Sequence, residues 1–182
     1  MKTQETFIKG VNIIHLQPNG DERGFFTRLF CENELKELLK DKRIVQVNHS
    51  RNNLAGTIRG LHFQYPPFAE TKIIRCIRGK VFDVAVDLRK DSPTYLKWVG
   101  IELSQDNSTM IFIPEGCAHG FQTLEQDSEL LYFHTQFYNP AAESGIAFSD
   151  PDIGIMWPLP PVAVSIKDQA NSTSGFFNGI IL

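Results

Sequence analysis

The segment GTIRGLHFQ, residues 56–64, places three polar side chains in a run that otherwise has the apolar character of a strand. His62 has the side chain best suited to accept and return protons near neutral pH. Gln64 shares the face of His62 by the two-residue period, whereas strict alternation puts Arg59 on the opposite face. Gly60 between them would permit a bulge that re-aims one side chain. A lone histidine in a strand is more often a packed or surface residue, so a chemical role for His62 requires partners elsewhere.

A second candidate group is His119, in the segment PEGCAHGF of residues 114–121. One proline and two glycines predict a tight turn here, which would be compatible with a plainly exposed histidine. In a jelly roll, however, strands from different hairpins can direct two histidines into one barrel mouth.

The elements around these residues are mostly strands. The only helical pattern is ENELKELLKD, residues 32–41, where Leu35, Leu38 and Leu39 recur on one face and Asn33 is a candidate N-cap. The segment KVFDVAVDL alternates Phe82, Val84, Val86 and Leu88 against Asp83, Ala85 and Asp87, and two shorter strands, WVGIEL and MIFIP, follow.

The segment ELLYFHTQFY alternates in the same way. Its apolar face holds Leu131, Phe133 and Phe137, and its other face holds Tyr132, His134, Gln136 and Tyr138. Short strands with turns every eight to twelve residues predict an all-β protein, either a β-sandwich or a jelly roll with a few short helices.

Length and composition narrow the class of protein. A chain of 182 residues predicts a single domain, and a net charge of −3 argues against a general nucleic-acid binder. The N-terminus lacks the apolar stretch of a signal peptide, and no apolar run is long enough to span a membrane. Three widely spaced cysteines predict free thiols in a cytoplasmic protein.

The two histidine segments together resemble the two cupin motifs. The first would comprise Gly56, His62, Gln64, Glu70 and Gly79, and the second Pro114, Gly116 and His119. Metal-binding cupins carry a second histidine where this chain has Gln64, and Glu70 lies further along than that pattern requires. Because an amide is a poor replacement for an imidazole ligand, we expect no metal site.

A closer resemblance covers about residues 7–168. The segments DERGFF, GTIRGLHFQ, KIIRCIRGKVFDVAVDLRKDSPTY, IPEGCAHGFQTL, LLYFHTQFYNP and DPDIGIMWP, with SIKD last, occur in one order. Together they are similar to the dTDP-4-dehydrorhamnose 3,5-epimerase family. The tail, residues 169–182, ends in apolar residues that we expect to dock on a neighbouring segment or on a partner subunit.

The resemblance implies a cupin-fold homodimer without a metal or other cofactor. It also implies an isomerase that inverts carbons beside the keto group of a nucleotide-linked 4-keto-6-deoxyhexose, for deoxysugar and surface-polysaccharide synthesis. His62 would be the base and Asp168 its carboxylate partner. Lys72 would hold the enolate oxygen, and Tyr132 would be the acid on the opposite face of the sugar.

The resemblance likewise implies the substrate-binding residues. Arg59 would contact the diphosphate, and Arg23 would come from the dimer partner, with Phe26 near the nucleotide base. The polar side chains of Gln46, Asn48 and His119 would complete the sugar pocket. Tyr138 shares the strand face of Tyr132 by alternation, so we expect it to line the same cavity.

One departure from the family pattern stands beside the aromatic pair. Many members have a glutamate where this chain has Arg28, and a positive charge near the nucleotide could change base preference or ion pairing across the dimer. The nucleotide (dTDP, CDP or GDP) therefore stays open, as does inversion at C3, C5 or both. A cupin that binds a sugar nucleotide without catalysis is a further alternative, and a metal-dependent oxygenase is disfavoured by Gln64.

Overall fold

Two antiparallel sheets packed face to face form the protein in a computed structural model, which describes residues 1–182 apart from the side chain of Phe176. The first sheet contains, in spatial order, β1 (Lys2–Glu5), β2 (Asn12–His15), β10 (Thr109–Ile113), β7 (Lys72–Arg78), β12 (Ser128–His134) and β5 (Gln46–Asn52). The second sheet contains β13 (Glu143–Gly145), β6 (Thr57–Gln64), β11 (Cys117–Thr123), β8 (Lys80–Asp87) and β9 (Trp98–Ser104), and β14 (Ala163–Val164) pairs in parallel with β6.

Few other elements accompany these sheets. An exposed hairpin is formed by β3 (Asn19–Asp21) and β4 (Gly24–Phe26). The helices are α1 (Glu32–Leu39), the single turn α2 (Ile166–Gln169) and a 3-10 turn (Ser174–Phe176). This architecture confirms the predicted all-β, cupin-type jelly roll with a few short helices.

Helix α1 covers the outer face of the first sheet. Leu35 and Leu39 are fully or almost fully buried there against Ile14, Ile73 and Met110. The leucine spacing therefore predicted the helix and its buried face. The candidate cap was wrong, because Asn33 lies inside the first turn and the N-cap is Cys31, whose side chain makes no capping hydrogen bond.

Strand β8 has the alternation read from the sequence, but both of its faces are buried, whereas such alternation is typical of a strand with one face in solvent. Val84 and Val86 pack on the outer side, whereas Val81 and Ala85 belong to the core between the sheets. Asp83 therefore points into the sandwich and is fully buried. Its carboxylate needs a partner in the interior, because an unpaired buried charge is costly.

The C-terminal tail docks on its own chain. Ile180 pairs with Arg89 and is buried with Phe177 against the outer face of the second sheet. The Asp150 carboxylate accepts hydrogen bonds from the backbone N–H and the hydroxyl of Ser174. The predicted docking thus occurs within the chain, and the tail no longer supports a dimer.

Two sequence-based expectations can be compared directly with the described residues. Cys31, Cys76 and Cys117 are free thiols. Among the helices of the described chain, none has the length and apolar character needed to cross a membrane.

Candidate active site

A cavity of about 270 Å³ opens at one end of the sandwich, between the two sheets. Its walls come from β6 and β11 on one side and from β5, β7 and β12 on the other. Polar and titratable side chains dominate the lining, which includes Asn48, Arg59, His62, Glu70, Lys72, His119, Tyr132, His134, Tyr138 and Glu143. A concave site with many convergent polar groups is typical of a small-molecule site.

A bulge in β6 brings Arg59 and His62 to the same cavity. His119 on β11 faces His62, but Phe121, two residues further, faces Arg59, so β6 has one extra residue in this interval. Gly60 at the bulge has φ +118°, and a Cβ there would lie 2.6 Å from the Cα of Gly120. The predicted re-aiming at Gly60 is confirmed.

His62 is paired with Asp168. The His62 Nε2 lies 2.6 Å from Asp168 Oδ1, and Asp168 Oδ2 accepts a hydrogen bond from the Gly60 backbone N–H at 3.2 Å. Asp168 is positioned by α2, where its N–H donates to the capping hydroxyl of Ser165. The sequence analysis did not predict this helix.

The electrostatic surroundings of His62 favour the neutral form of its imidazole. Burial lowers the pKa of His62 below its usual value, and the charge of Lys72 adds to this effect. The hydrogen bond and charge of Asp168 oppose the shift without reversing it. Since an ionised carboxylate only accepts, Nε2 carries the proton and Nδ1 retains its lone pair.

Lys72 begins β7 and is nearly buried. Its Nζ lies 3.1 Å from Glu70 Oε1, while Glu70 Oε2 lies 2.7 Å from Nδ1 of His134. Burial alone would raise the pKa of Glu70, but the hydrogen bond from His134 and the charge of Lys72 together lower it. The sequence analysis gave Glu70 only as part of a cupin motif and assigned no role to His134.

Tyr132 lies on β12, and its hydroxyl is 2.9 Å from Ser50 Oγ. Burial strongly raises the pKa of Tyr132, an effect that the Ser50 hydrogen bond only partly offsets. The phenol therefore stays protonated at neutral pH and can donate a proton.

His119 has a partner that the sequence analysis missed. Its Nε2 lies 3.0 Å from both carboxylate oxygens of Asp83, on the neighbouring strand β8. Burial raises the pKa of Asp83, whereas the charge of His119 and its hydrogen bond oppose the shift. The available signal was an acidic residue within a strand that is otherwise apolar.

The mouth of the cavity carries Tyr138 and Glu143. The Tyr138 hydroxyl donates to Glu143 Oε2 at 2.7 Å, and Lys167 pairs with the same oxygen. Strand β12 ends at His134, so alternation does not place Tyr138 as the sequence argument assumed. The side chain of Gln46 accepts a hydrogen bond from the Tyr138 N–H at 3.3 Å and is not among the lining residues.

The other predicted binding residues divide into two groups. Arg59 donates to Asn52 Oδ1 at 2.7 Å, and Asn48 Nδ2 lies 3.4 Å from His134 Nε2, both at the cavity. Three further candidates lie outside the cavity of their own chain: Arg23, Phe26 and Arg28.

These three residues are at or just after the exposed hairpin. The Arg23 side chain is 85% exposed, and Phe26 is 72% exposed. Arg28 forms an ion pair with Glu34 of α1 at 2.6 Å. Within one chain, the structure does not bring them to His62.

Both polar atoms of the Gln64 side chain form hydrogen bonds with backbone groups. Its amide nitrogen donates to the carbonyl groups of Phe68 and Phe137, and its Oε1 accepts from the N–H of Asn139 at 2.6 Å. Gln64 therefore holds two loops at the rim of the cavity.

The fold and these contacts define a class of protein. A cupin-type sandwich with a histidine–carboxylate pair, a lysine and a protonated tyrosine in one cavity is suited to moving protons at carbon, and the chain is a cupin-fold isomerase of the epimerase type. The model of the dTDP-4-dehydrorhamnose 3,5-epimerase family matches residues 5–174, and the chain belongs to that family.

Individual relatives agree with this assignment. The dTDP-4-dehydrorhamnose 3,5-epimerase of Shigella flexneri is 45% identical over 169 residues, which cover 92% of this chain and 93% of that protein. The dTDP-4-dehydrorhamnose 3-epimerase of Streptomyces niveus is 35% identical over 170 residues, covering 93% and 82%.

A solved structure is similar over nearly the whole chain. It is the crystal structure of dTDP-6-deoxy-D-glucose-3,5-epimerase from Legionella pneumophila in complex with dTDP-4-keto-L-rhamnose. Its TM-score is 0.91 at 40% identity, and the match covers 96% of this chain and 93% of that chain.

Proposed function

We propose that the protein inverts C3 and C5 of dTDP-4-dehydro-6-deoxyglucose to give dTDP-4-dehydrorhamnose. The observation that carries the proposal is the His62–Asp168 pair at 2.6 Å, in a cavity that also holds Lys72 and Tyr132. A histidine held in one tautomer by a carboxylate is a general base, which binding alone does not require.

The reaction begins with proton removal. Nδ1 of His62 takes the proton from the carbon beside the ketone, and the electrons of the C–H bond move into the enolate. Asp168 fixes the imidazole and stabilises the imidazolium that forms. The Lys72 ammonium donates to the enolate oxygen, where negative charge develops.

Inversion needs a proton on the opposite face of the sugar ring. Tyr132 supplies it, because burial keeps its hydroxyl protonated. Proton transfer from the imidazolium to the tyrosinate through solvent then restores both groups. The same set of side chains acts at the second carbon after the sugar ring has changed its conformation.

Substrate binding uses the outer part of the site. The guanidinium of Arg59, held by Asn52, suits the diphosphate. Asn48, His119 and Tyr138, which line the cavity, would bind the sugar hydroxyls and neighbouring groups, and Gln46 would act through the loop that carries Tyr138.

The protein is further proposed to be a single-domain homodimer. The exposed hairpin would carry Arg23 and Phe26 to the cavity of the partner chain, since both are remote from their own. Arg28, paired with Glu34, would orient the segment that follows Phe26 at the end of β4. The free thiols favour a cytoplasmic location.

The test is incubation with dTDP-4-dehydro-6-deoxyglucose in D2O. Deuterium at both C3 and C5, with inversion, is expected. Deuterium at one carbon only would support the alternative of an epimerase that inverts C3 or C5 alone. The chain is also similar to the Streptomyces niveus 3-epimerase, which is named for one centre. The absence of exchange with dTDP-, CDP- and GDP-linked substrates would contradict an epimerase.

A further inference from the structure

A second network of charged side chains lies beside the proposed catalytic pair. Glu70 joins the Lys72 ammonium, 3.1 Å from one carboxylate oxygen, to the His134 imidazole, 2.7 Å from the other. The three side chains are all nearly buried, with exposures of 9%, 11% and 12% for Glu70, Lys72 and His134. The network is therefore part of the cavity wall.

His134 is held on its other side as well. Its Nε2 lies 3.4 Å from Asn48 Nδ2, and its ring stacks on that of Tyr132 at a centroid distance of 6.2 Å. An amide nitrogen donates, so Nε2 accepts from Asn48 and Nδ1 carries the proton that His134 donates to Glu70. Each oxygen of the carboxylate therefore has its own donor.

The charge of Glu70 is unexpected at this position. Removing a carboxylate from water is costly, and the same cavity is proposed to receive an anionic nucleotide sugar. A carboxylate retained there must balance the charge of another group. Within the described network, the cation in contact with Glu70 that can play this part is the Lys72 ammonium.

We propose that Glu70, fixed by His134, holds the Lys72 ammonium in place and aims it at the reacting ketone, which makes Glu70 and His134 positioning residues. This inference rests on the role of Lys72 in the proposed function. The titratable groups around Lys72 are His62 and Asp83 on the second sheet, and Glu70 and His134 on the side of its own sheet. Among them, the Glu70 carboxylate is in direct contact with the Lys72 ammonium.

The first test is the Glu70→Gln variant, which keeps size and loses charge. Without the carboxylate the ammonium loses the contact that aims it, so kcat should fall about a hundredfold. The KM at neutral pH should change less than about twofold, because the nucleotide and diphosphate contacts are intact. Glu70→Asp should fall between Glu70→Gln and the natural chain.

The His134→Ala variant tests the support of Glu70. The contact between Glu70 and Lys72 stays, but the carboxylate loses its second donor. We therefore expect kcat to fall about tenfold, less than in Glu70→Gln, because the ammonium is less well placed. An unchanged kcat in His134→Ala would contradict the role of His134.

Glu129 provides a matched control. It also contacts a histidine through one oxygen and a cation through the other, namely His49 at 2.9 Å and Arg78 at 3.5 Å, but it does not line the cavity. Glu129→Gln should leave kcat unchanged. An equal fall of kcat in this variant would overturn the proposal, because the effect would then not be local.

A second measurement does not depend on catalysis. Lysine side chains labelled with ¹³C at Cε can be observed by NMR at neutral pH, with the Lys72 signal assigned through Lys72→Arg. Loss of the contact with the carboxylate should displace the Lys72 signal in Glu70→Gln but not in Glu129→Gln, even if the proposed substrate is wrong. A Lys72 signal at the same position in Glu70→Gln and in the natural chain would refute the role of Glu70, and Glu70→Asp decides the matter if Glu70→Gln does not fold.

Discussion

Asp168 Oδ1 lies 2.6 Å from His62 Nε2, although 106 positions separate the two residues in the chain. His62 pairs with β13, and β14 pairs with the start of β6, which leaves a short interval of the β6 edge between them. The second carboxylate oxygen of Asp168 accepts from the Gly60 N–H in that interval. One carboxylate thus completes the strand edge and fixes the proposed base.

Asp168→Asn tests the role of this carboxylate. A carboxamide can still accept from Gly60 but can also donate to the imidazole, which permits the wrong tautomer of His62. We expect kcat to fall by about 10²–10⁴ with little change in KM. Deuterium exchange at C3 and C5 measures the loss, and Asp127→Asn, which alters an exposed carboxylate paired with Arg51, is the control. Near-normal exchange would show that His62 needs no carboxylate.

Tyr132→Phe separates proton removal from inversion. His62 can still take a proton, exchange it with solvent and return it to the same face, whereas the opposite face lacks its donor. Solvent deuterium should therefore appear with retained configuration, and inversion should slow by about 10²-fold.

The control for this variant is Tyr95→Phe, because the Tyr95 hydroxyl donates to the carbonyl of Phe177 and lies outside the cavity. Its inversion rate should match that of the natural chain. Equal rates of inversion in Tyr132→Phe and in the control would remove Tyr132 as the acid.

The pH profile should reflect the lowered pKa of His62. The base must be neutral to act, and a pKa below the usual value of 6.5 keeps it neutral into mildly acidic solution. The acidic limb of kcat/KM should therefore lie below pH 6.5. Because the charge of Glu143 raises the pKa of His62, Glu143→Gln should move that limb to still lower pH by a few tenths of a unit.

Glu102→Gln is the control for the pH profile, since Glu102 pairs with Lys80 on the second sheet and does not line the cavity. Its acidic limb should coincide with that of the natural chain. A limb that moved upward in Glu143→Gln would reverse the assigned sign and contradict His62 as the titrating base.

Mixed dimers test the hairpin contribution. His62→Ala and Arg23→Ala should each be nearly inactive as pure dimers. If each site combines His62 of one chain with Arg23 of the other, half of the sites in a hybrid dimer are intact. Co-refolded equal amounts should then recover about a quarter of the natural activity. Light scattering gives the oligomeric state, and a mixture that stays inactive despite forming dimers would refute the shared site.

Local pattern predicted several elements well. The leucine spacing of α1 depends on a period that burial on one face imposes, and it was confirmed. The alternation of β8 predicted the strand correctly, but its polar face is buried as well as its apolar face. The predicted N-cap at Asn33 was wrong because local sequence does not locate the first residue of a helix to better than one or two positions. Helix α2 was missed because four residues are too few for a periodic signal.

The order of motifs along the chain determined the family, the fold and the identity of His62, Lys72, Tyr132 and Asp168 as candidates, because those depend on residue types and their sequence. Only the tertiary structure decided which groups meet. The bulge at Gly60 turns Arg59 to the side of His62, and strand pairing places Asp83 against His119 and Glu70 between Lys72 and His134. Strand register and bulges are fixed by contacts between distant segments, which no local pattern records.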